Sequence, residues 1–376
     1  MNARKSQKKP VKRVLMALSG GIDSAVSLHL LMKAGYEVEG AFMKNWSSTV
    51  GLKYSECPWL DDRREALRVA AFFGIPLHTL DFEEQYSKRV MDYFFKEYKA
   101  GRTPNPDVMC NKERKFKLLY EWAMKHGFEF LATGHYAQIQ EGERGKGKGE
   151  SKSQEKNILL TLKRSVDEFK DQTYFIYNIK TEQLPHVLFP IGHLQKKQVR
   201  TLARKLKLPN AERQESMGLC FVGKVRLKDF LEQKLKRKVG SIVDQGGKII
   251  GEHEGLHYYT LGQRQGIKVG SGGPYFVSRK DLTSNTLYVT NDSEDKDLYI
   301  KEVSIQNVNW INVPQKFPVK LLGRFRHQGD LTPISISKQD NDTYVVTFSK
   351  AQKAVASGQS LVLYKGAECL GGGVIA

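Results

Sequence analysis

Ser19-Gly20-Gly21-Ile22-Asp23-Ser24 follows a short apolar run, residues 12–18 (KRVLMAL), and opens a segment in which Ala25, Leu28, Leu31 and Met32 are spaced for one face of a helix. A buried strand, a tight glycine turn and a helix start, in that order, make an anion cradle. The glycines let the backbone close around a charged group, and the first helical N–H groups present the positive end of the helix dipole. Ser19 and Ser24 add hydroxyl donors, and Asp23 adds a carboxylate. The stretch lacks the lysine of G-x-x-x-x-G-K-[ST]. Residues 142–148 come closer to that pattern, but Gly149 stands where Ser or Thr is required and no apolar strand leads in, so this glycine-rich stretch is a decoy.

Outward from the cradle the alternation continues. Residues 36–43 form a second strand, 62–73 a helix ending at Gly74, 76–82 a third strand and 83–98 a third helix; 115–126 is helical again and 128–133 extended. Strands alternating with helices of this length imply an α/β fold, a doubly wound parallel sheet covered on both faces. Residues 141–157 are almost wholly polar and are expected to be a disordered surface loop. From about residue 240 the texture is all-β. Short runs at 287–289, 298–303, 319–325, 344–348 and 361–364 recur between Gly, Asn and Asp turns, which suits a small C-terminal β-barrel. The glycine-rich residues 240–273 suggest a small central domain between the two. The expected domains are residues 1–236, 237–297 and 298–376.

Composition narrows the function. A chain of 376 residues exceeds what one hydrophobic core supports. Its 60 basic against 41 acidic residues leave a net charge of +19, for which a polyanion is the simplest partner. Mean hydropathy is −0.47, and nothing approaches the roughly eighteen apolar residues in a row that span a bilayer. The first thirteen residues carry Arg4, Lys5, Lys8, Lys9, Lys12 and Arg13 and no acid, without the apolar core of a secretory signal. The four cysteines, Cys57, Cys110, Cys220 and Cys369, are too scattered for a disulfide framework and show no zinc-ligand spacing, so a reducing compartment is expected.

Two of these cysteines have distinctive settings. Cys110 ends Pro104-Asn105-Pro106-Asp107-Val108-Met109-Cys110, where two prolines stiffen a loop that holds Asn105 and Asp107 outward. A thiol there, beside Lys112, Arg114 and Lys115, is expected to be partly exposed and acidified. Cys220 lies in Ser216-Met217-Gly218-Leu219-Cys220-Phe221-Val222-Gly223. If the fold brings the two sulfurs together, one can carry a persulfide and the other release it. Cys57 and Cys369 read as structural. A lone His is more often a packing residue than an acid or base; His135, at the end of a strand, is expected to contact a ligand.

The cradle resembles the PP-loop of the ATP pyrophosphatase superfamily, which cleaves ATP between the α- and β-phosphates. That implies ATP and Mg²⁺, with Asp23 helping to hold the metal, and a fold of the adenine nucleotide alpha hydrolase kind. Over essentially its whole length the chain resembles the tRNA-specific 2-thiouridylase family. The motifs are SGGIDS at Ser19, NPDVMCN at Asn105, TGHYA at Thr133, KDQTYF at Lys170, SMGLCFVG at Ser216, LHYYTLGQRQGI at Leu256, ASGQS at Ala356 and CLGGGVI at Cys369. The resemblance implies that Ala17, Leu18, Ser19, Gly20, Gly21, Ile22, Asp23, Ser24, Met43 and Gly134 bind ATP. It implies that Asn105, Pro106 and Asp107 meet the target uracil, with Asp107 and the thiols Cys110 (nucleophile) and Cys220 (persulfide carrier) catalytic. Lys170, Asp171, Gln172, His135, Arg324, Phe325 and Gln359 would contact tRNA. The implied partners are the anticodon stem–loop of wobble-uridine tRNAs and a persulfide donor, either a cysteine desulfurase or a sulfur relay protein. One departure is Glu215-Ser216-Met217-Gly218-Leu219-Cys220 where the family usually has D-S-T-G-I-C. With Asn45-Trp46 and Cys57-Pro58-Trp59, it resembles the mitochondrial branch. The expected location is the cytoplasm, with the mitochondrial matrix as the alternative. Two rival classes stay open. A synthetase or amidotransferase using a nitrogen nucleophile would need neither cysteine, and an RNA-binding module would not consume ATP.

Overall fold

The computed structural model describes residues 11–44, 58–142, 159–214, 227–267, 269–270, 273–340 and 342–376. The chain opens with β1 (Arg13–Ala17), α1 (Ile22–Lys33), β2 (Glu37–Lys44), α2 (Pro58–Phe73) and β3 (Leu77–Asp81). Next come α3 (Glu83–Tyr86), a π-helical turn at Ser87–Met91 and α4 (Asp92–Lys99). α5 (Pro106–Cys110), a π-helical stretch Asn111–Leu119 and α6 (Tyr120–Lys125) follow, then β4 (Phe130–Ala132). After β5 (Ala137–Gly142), β6 (Leu159–Arg164) and α7 (Thr173–Ile176), β7 (Val187–Leu188) completes a parallel sheet of order β3-β2-β1-β4-β7. α8 (Lys196–Lys205) and α9 (Leu227–Leu231) end this part of the chain.

Residues alternate along β1 between two cores. Val14, Met16 and Leu18 pack with α1, α2 and α8 through Val26, Leu28, Val69 and Val199. Leu15 and Ala17 pack with Phe116, Leu119 and Ala123 on the other face. Because both faces are covered, the strand is apolar from Val14 to Ala17 and shows no period of two. This is the doubly wound sheet the alternation of strands and helices implies.

Two local expectations need correction. The helix expected at 115–126 begins at Pro106, so the proline-stiffened loop is in fact a helix start. Proline at the first helical position has no N–H to lose, and the Asn105 side chain caps the turn by accepting from Val108 N at 3.2 Å. The polar stretch 141–157 is not all loop either: Glu141 and Gly142 finish β5 opposite Leu160 and Leu159. Residues 143–157, which hold the rest of that stretch, lie outside the described residues.

The central unit is a four-stranded sheet of β8 (Gly240–Val243), β9 (Ile249–His253), β10 (Phe276–Asp281) and β11 (Thr286–Thr290) around Ile242, Val277, Leu287 and Val289. β12 (Tyr299–Trp310), β13 (Val319–Arg324), β14 (Thr332–Asp340), β15 (Thr343–Lys353), β16 (Ser360–Lys365) and β17 (Glu368–Ile375) form an antiparallel barrel, closed by pairing of β12 with β17. The β5–β6 hairpin extends the barrel sheet through β6 and β17. Barrel residues Ile311, Val362, Tyr364 and Cys369 share one core with Leu15, Tyr174 and Tyr177 of the α/β part. Among the described residues no helix is long and apolar enough to cross a membrane.

Candidate active site

Strand order reverses between β1 and β4, and open α/β sheets bind ligands in the crevice outside the carboxyl ends at such a point. The turn after β1 carries residues 19–24. Gly20 sits at φ +76°, and a Cβ there would lie 2.6 Å from the Asp62 carbonyl oxygen and 2.7 Å from Arg213 Nη1, so only glycine fits. Its own carbonyl accepts from Asn210 Nδ2 at 2.8 Å and Arg213 Nη1 at 3.0 Å. Ser24 Oγ donates to Gly21 O at 2.9 Å, and Gly21 N donates to Ser19 Oγ at 3.3 Å. The turn after β4 closes the other side. A Cβ on Gly134 would come within 2.9 Å of the Asp23 carbonyl carbon and the Ser24 amide nitrogen, so the two turns touch backbone to backbone.

Asp23 is the carboxylate of this crevice. Lys196 Nζ, from the first turn of α8, donates to both its oxygens at 2.7 and 2.9 Å, and Tyr136 OH donates to Oδ1 at 3.0 Å. Neither partner was singled out from the sequence. Tyr136 lies inside the TGHYA motif, so a signal existed. Lys196 sits in an ordinary basic helix start and only the fold brings it to Asp23. Next to Tyr136, His135 is buried, with Nδ1 2.7 Å from Thr133 Oγ1 and Nε2 3.2 Å from Lys115 Nζ. Burial first, then the Lys115 ammonium, holds its pKa well below 6.5, so the ring is neutral and accepts from the lysine.

Asn105, Pro106, Asp107 and Cys110 lie on α5 and its cap. Val108 of that helix is buried in the large core that also holds Ala17 and Met43, and α5 packs against α7. Pro106 and Cys110, one helical turn apart, share the buried side. Cys110 is 1% exposed and belongs to the core that holds Tyr86, Val90, Met91, Phe94 and Phe230, so the thiol is buried where partial exposure was expected. Cys220, Cys57 and the 215–223 motif lie outside the described residues. Cys369 is buried in β17, and burial pushes its thiol far above the ordinary range.

The residues expected to meet RNA divide in two. Lys170 and Phe325 keep partial exposure. The Asp171 carboxylate is wholly buried, accepting from Arg324 Nη1 at 2.9 Å and Thr173 Oγ1 at 3.0 Å, and Arg324 is buried with it. Gln172 Oε1 accepts from Tyr136 N at 3.0 Å, and Gln359 Nε2 donates to the Thr103 carbonyl at 2.7 Å. In this arrangement the polar ends of Asp171, Arg324, Gln172 and Gln359 bond within the protein, at or near the seam between the α/β part and the barrel.

Fold and site together define an open, doubly wound α/β protein with an anion cradle at its switch point and an appended closed barrel. Residues 12–224 match the family model described as tRNA methyl transferase HUP domain, 228–291 the tRNA methyl transferase PRC-barrel domain and 300–375 the aminomethyltransferase beta-barrel domain. The tRNA-specific 2-thiouridylase MnmA of Enterococcus faecalis is 41% identical over 369 residues, covering 96% of this chain and 95% of that protein. The same enzyme of Lysinibacillus sphaericus is 43% identical over 366 residues, covering 96% and 94%. The chain belongs to the tRNA-specific 2-thiouridylase family. Solved structures overlap it only loosely. A 4-thiouridine synthetase–RNA complex with bound ATP superposes with a TM-score of 0.36 at 17% identity, over 59% of this chain and 50% of that one. The NMN synthetase of Francisella tularensis gives 0.33 at 17%, over 60% and 79%.

Proposed function

We propose that the chain is an ATP-dependent sulfurtransferase that replaces the 2-oxygen of a tRNA wobble uridine with sulfur. The observation that carries this reading is the contact of the two switch-point turns. Gly134 packs on the backbone of Asp23 and Ser24, which makes one crevice of the glycine turn, a carboxylate and the ends of β1 and β4. Family membership selects RNA thiolation from the chemistries such a crevice could serve. The cradle fits a polyphosphate. Among the described residues its serine hydroxyls bond only to the turn itself and to each other, so they can rotate to phosphate oxygens without unmaking the fold. Asp23 offers a single carboxylate, and among the described residues no group of three or more His, Cys, Asp or Glu could hold a metal. Asp23 would help hold a Mg²⁺ brought in with the polyphosphate, which would neutralise charge on the leaving pyrophosphate. Bound ATP supplies the activation, since an adenylated 2-oxygen leaves as AMP.

Asn105 and Asp107, at the start of α5, hold the uracil, which must leave its stack to reach them. The terminal sulfur of a Cys220 persulfide, or sulfide released from it by Cys110, then attacks the activated carbon. In either route the Cys110 thiolate takes the inner sulfur of Cys220 as a disulfide, which an external thiol reduces before the next turnover. The persulfide comes from a donor protein. The location that fits the reactive thiols is a reducing one, the cytoplasm or the mitochondrial matrix. The test is mass spectrometry of tRNA nucleosides after incubation with ATP, Mg²⁺ and a persulfide source. Wild type should yield 2-thiouridine, AMP and pyrophosphate. Asp23→Ala should lose AMP formation while tRNA affinity stays within a few fold. Cys220→Ser should still form AMP but no thionucleoside, and Cys110→Ser should still accept a persulfide without passing it on. Full thiolation by either cysteine variant, or wild-type turnover by Asp23→Ala, would refute the assignment.

A further inference from the structure

Both partners of Asp23 are tied to one segment, residues 165–172. Tyr136 N donates to Gln172 Oε1 at 3.0 Å and Gln172 N donates back to Tyr136 O at 2.9 Å. Lys196 N donates to Asp167 Oδ2 at 2.9 Å. On its far side the segment is held by the barrel. Arg324 Nη1, at the end of β13, donates to Asp171 Oδ2 at 2.9 Å, while Asp171 Oδ1 accepts from Ser165 N at 3.2 Å. The Asp171 side chain is wholly buried and that of Arg324 nearly so, at 0% and 7% exposure. Arg164 Nε stands 3.6 Å from the same Oδ2, so two guanidiniums face a carboxylate this deeply buried, Arg324 the nearer, and displacing it from them strands a charge out of water. A guanidinium fixes direction where a flexible ammonium would not.

We propose that Arg324 is a positioning residue for the nucleotide site. By fixing Asp171 it sets the 165–172 segment, and through Gln172–Tyr136 and Asp167–Lys196 it sets where the Asp23 carboxylate stands. The barrel is thereby wired to the phosphate cradle across its seam. The inference rests on the reading of Asp23 as a nucleotide-site residue, and the test separates the two. Full-length Arg324→Gln should raise the KM for ATP in AMP formation about tenfold, the scale of a sub-ångström misplacement of a binding group. Its tRNA affinity, and the slope of that affinity with salt, should stay within twofold of wild type. Tyr136→Phe should raise the same KM, and the double variant should show less than the product of the two effects, since both act on one carboxylate. Amide exchange at residues 19–24 should also quicken in Arg324→Gln without any ligand present. An unchanged ATP KM overturns the proposal in either of two ways. If tRNA affinity and its salt slope fall instead, Arg324 is an RNA contact; if only the melting temperature falls, it is a seam residue. Should Arg324→Gln fail to fold, Gln172→Ala cuts the side-chain link to Tyr136 without touching the buried ion pair. It must then show the raised KM, and a wild-type KM refutes the proposal. If wild type makes no AMP but exchange at 19–24 still quickens in the variant, the functional reading falls and the wiring stands.

Discussion

The His135 ring lies between a hydroxyl and an ammonium, with Phe116 and Phe189 rings centred 5.9 and 6.0 Å away. Among the described residues no carboxylate acts on the ring and Lys115 opposes an imidazolium, so burial and charge act in the same direction. The consequence for stability follows from its sign. The folded-state pKa is depressed below the 6.5 of the unfolded chain, so the unfolded state binds the extra proton first. Stability is therefore whole above pH 6.5 and is lost as pH falls below it, by at most about 1.4 kcal/mol per pH unit for this one group. His29, His253, His257 and His327 are depressed as well, chiefly by burial, so wild type falls by more than His135 alone dictates. The informative quantity is a difference between proteins. His135→Asn, neutral at every pH, should lose less stability than wild type between pH 7.5 and 5.5 in urea titrations. Equal losses would mean that His135 titrates normally.

At the scale of elements, α5 shows both what the sequence made legible and what it hid. The strand–turn–helix around Ser19 was legible because apolar runs and glycine punctuation coincide there, and the same signals placed β2, α2 and β3 within a few residues. Pro104 and Pro106 carry the opposite local signal, and they masked a helix that continues unbroken through Leu119 to Lys125. Proline's usual meaning fails at the first helical position, and the cap that reveals this is a side-chain bond visible only in three dimensions. The burial of Cys110 was hidden for the same reason, since a residue read into a loop has no helix face to turn inward. Lys196 was hidden more deeply, because 173 positions separate it from Asp23. Asn105 thus has a structural duty beside its proposed one at the uracil, and substitution can separate them. Asn105→Ala should cost about 1 kcal/mol by loss of the cap. Asn105→Asp keeps an oxygen acceptor at the same place and should restore the cap's share of the melting temperature, the side-chain bond to Tyr174 being a separate loss. If Asn105 Nδ2 also donates to the base, Asn105→Asp should remain deficient in thiolation. Full activity in that variant would reduce Asn105 to a cap.

Across the whole molecule, the α/β part and the barrel share one interior. Tyr174 and Tyr177 of the α/β part and Tyr364 of the barrel are at most 1% exposed, in a core that also contains Leu15 of β1 and Val362 of β16. Their hydroxyls are bonded across the seam: Tyr174 OH donates to Ser360 O at 3.1 Å, Tyr177 OH lies 3.2 Å from Ser360 Oγ, and Tyr364 OH lies 3.1 Å from Thr173 Oγ1. Removing the barrel would expose Tyr174 and Tyr177, at roughly 1.5–3 kcal/mol for each large apolar side chain returned to water. It would also leave the Asp171 carboxylate with only the more distant Arg164, and the β5–β6 hairpin without its neighbour β17. Together these losses match the whole stability of a typical domain, about 5–15 kcal/mol. A fragment of residues 1–297 should therefore not fold, although it holds every described residue of the cradle. In the full chain, unfolding of the α/β part and of the barrel should coincide in one calorimetric transition. The central sheet is different, with its own small core around Ile242 and Val289, and can melt apart from them. Two probes follow the two halves, near-ultraviolet signals from Trp122 in α6 and from Trp310 in β12, each recorded in a variant in which the other three of the four tryptophans are replaced. Separate midpoints for these probes, or cooperative unfolding by the 1–297 fragment, would show that the shared core does not bind the halves into one unit.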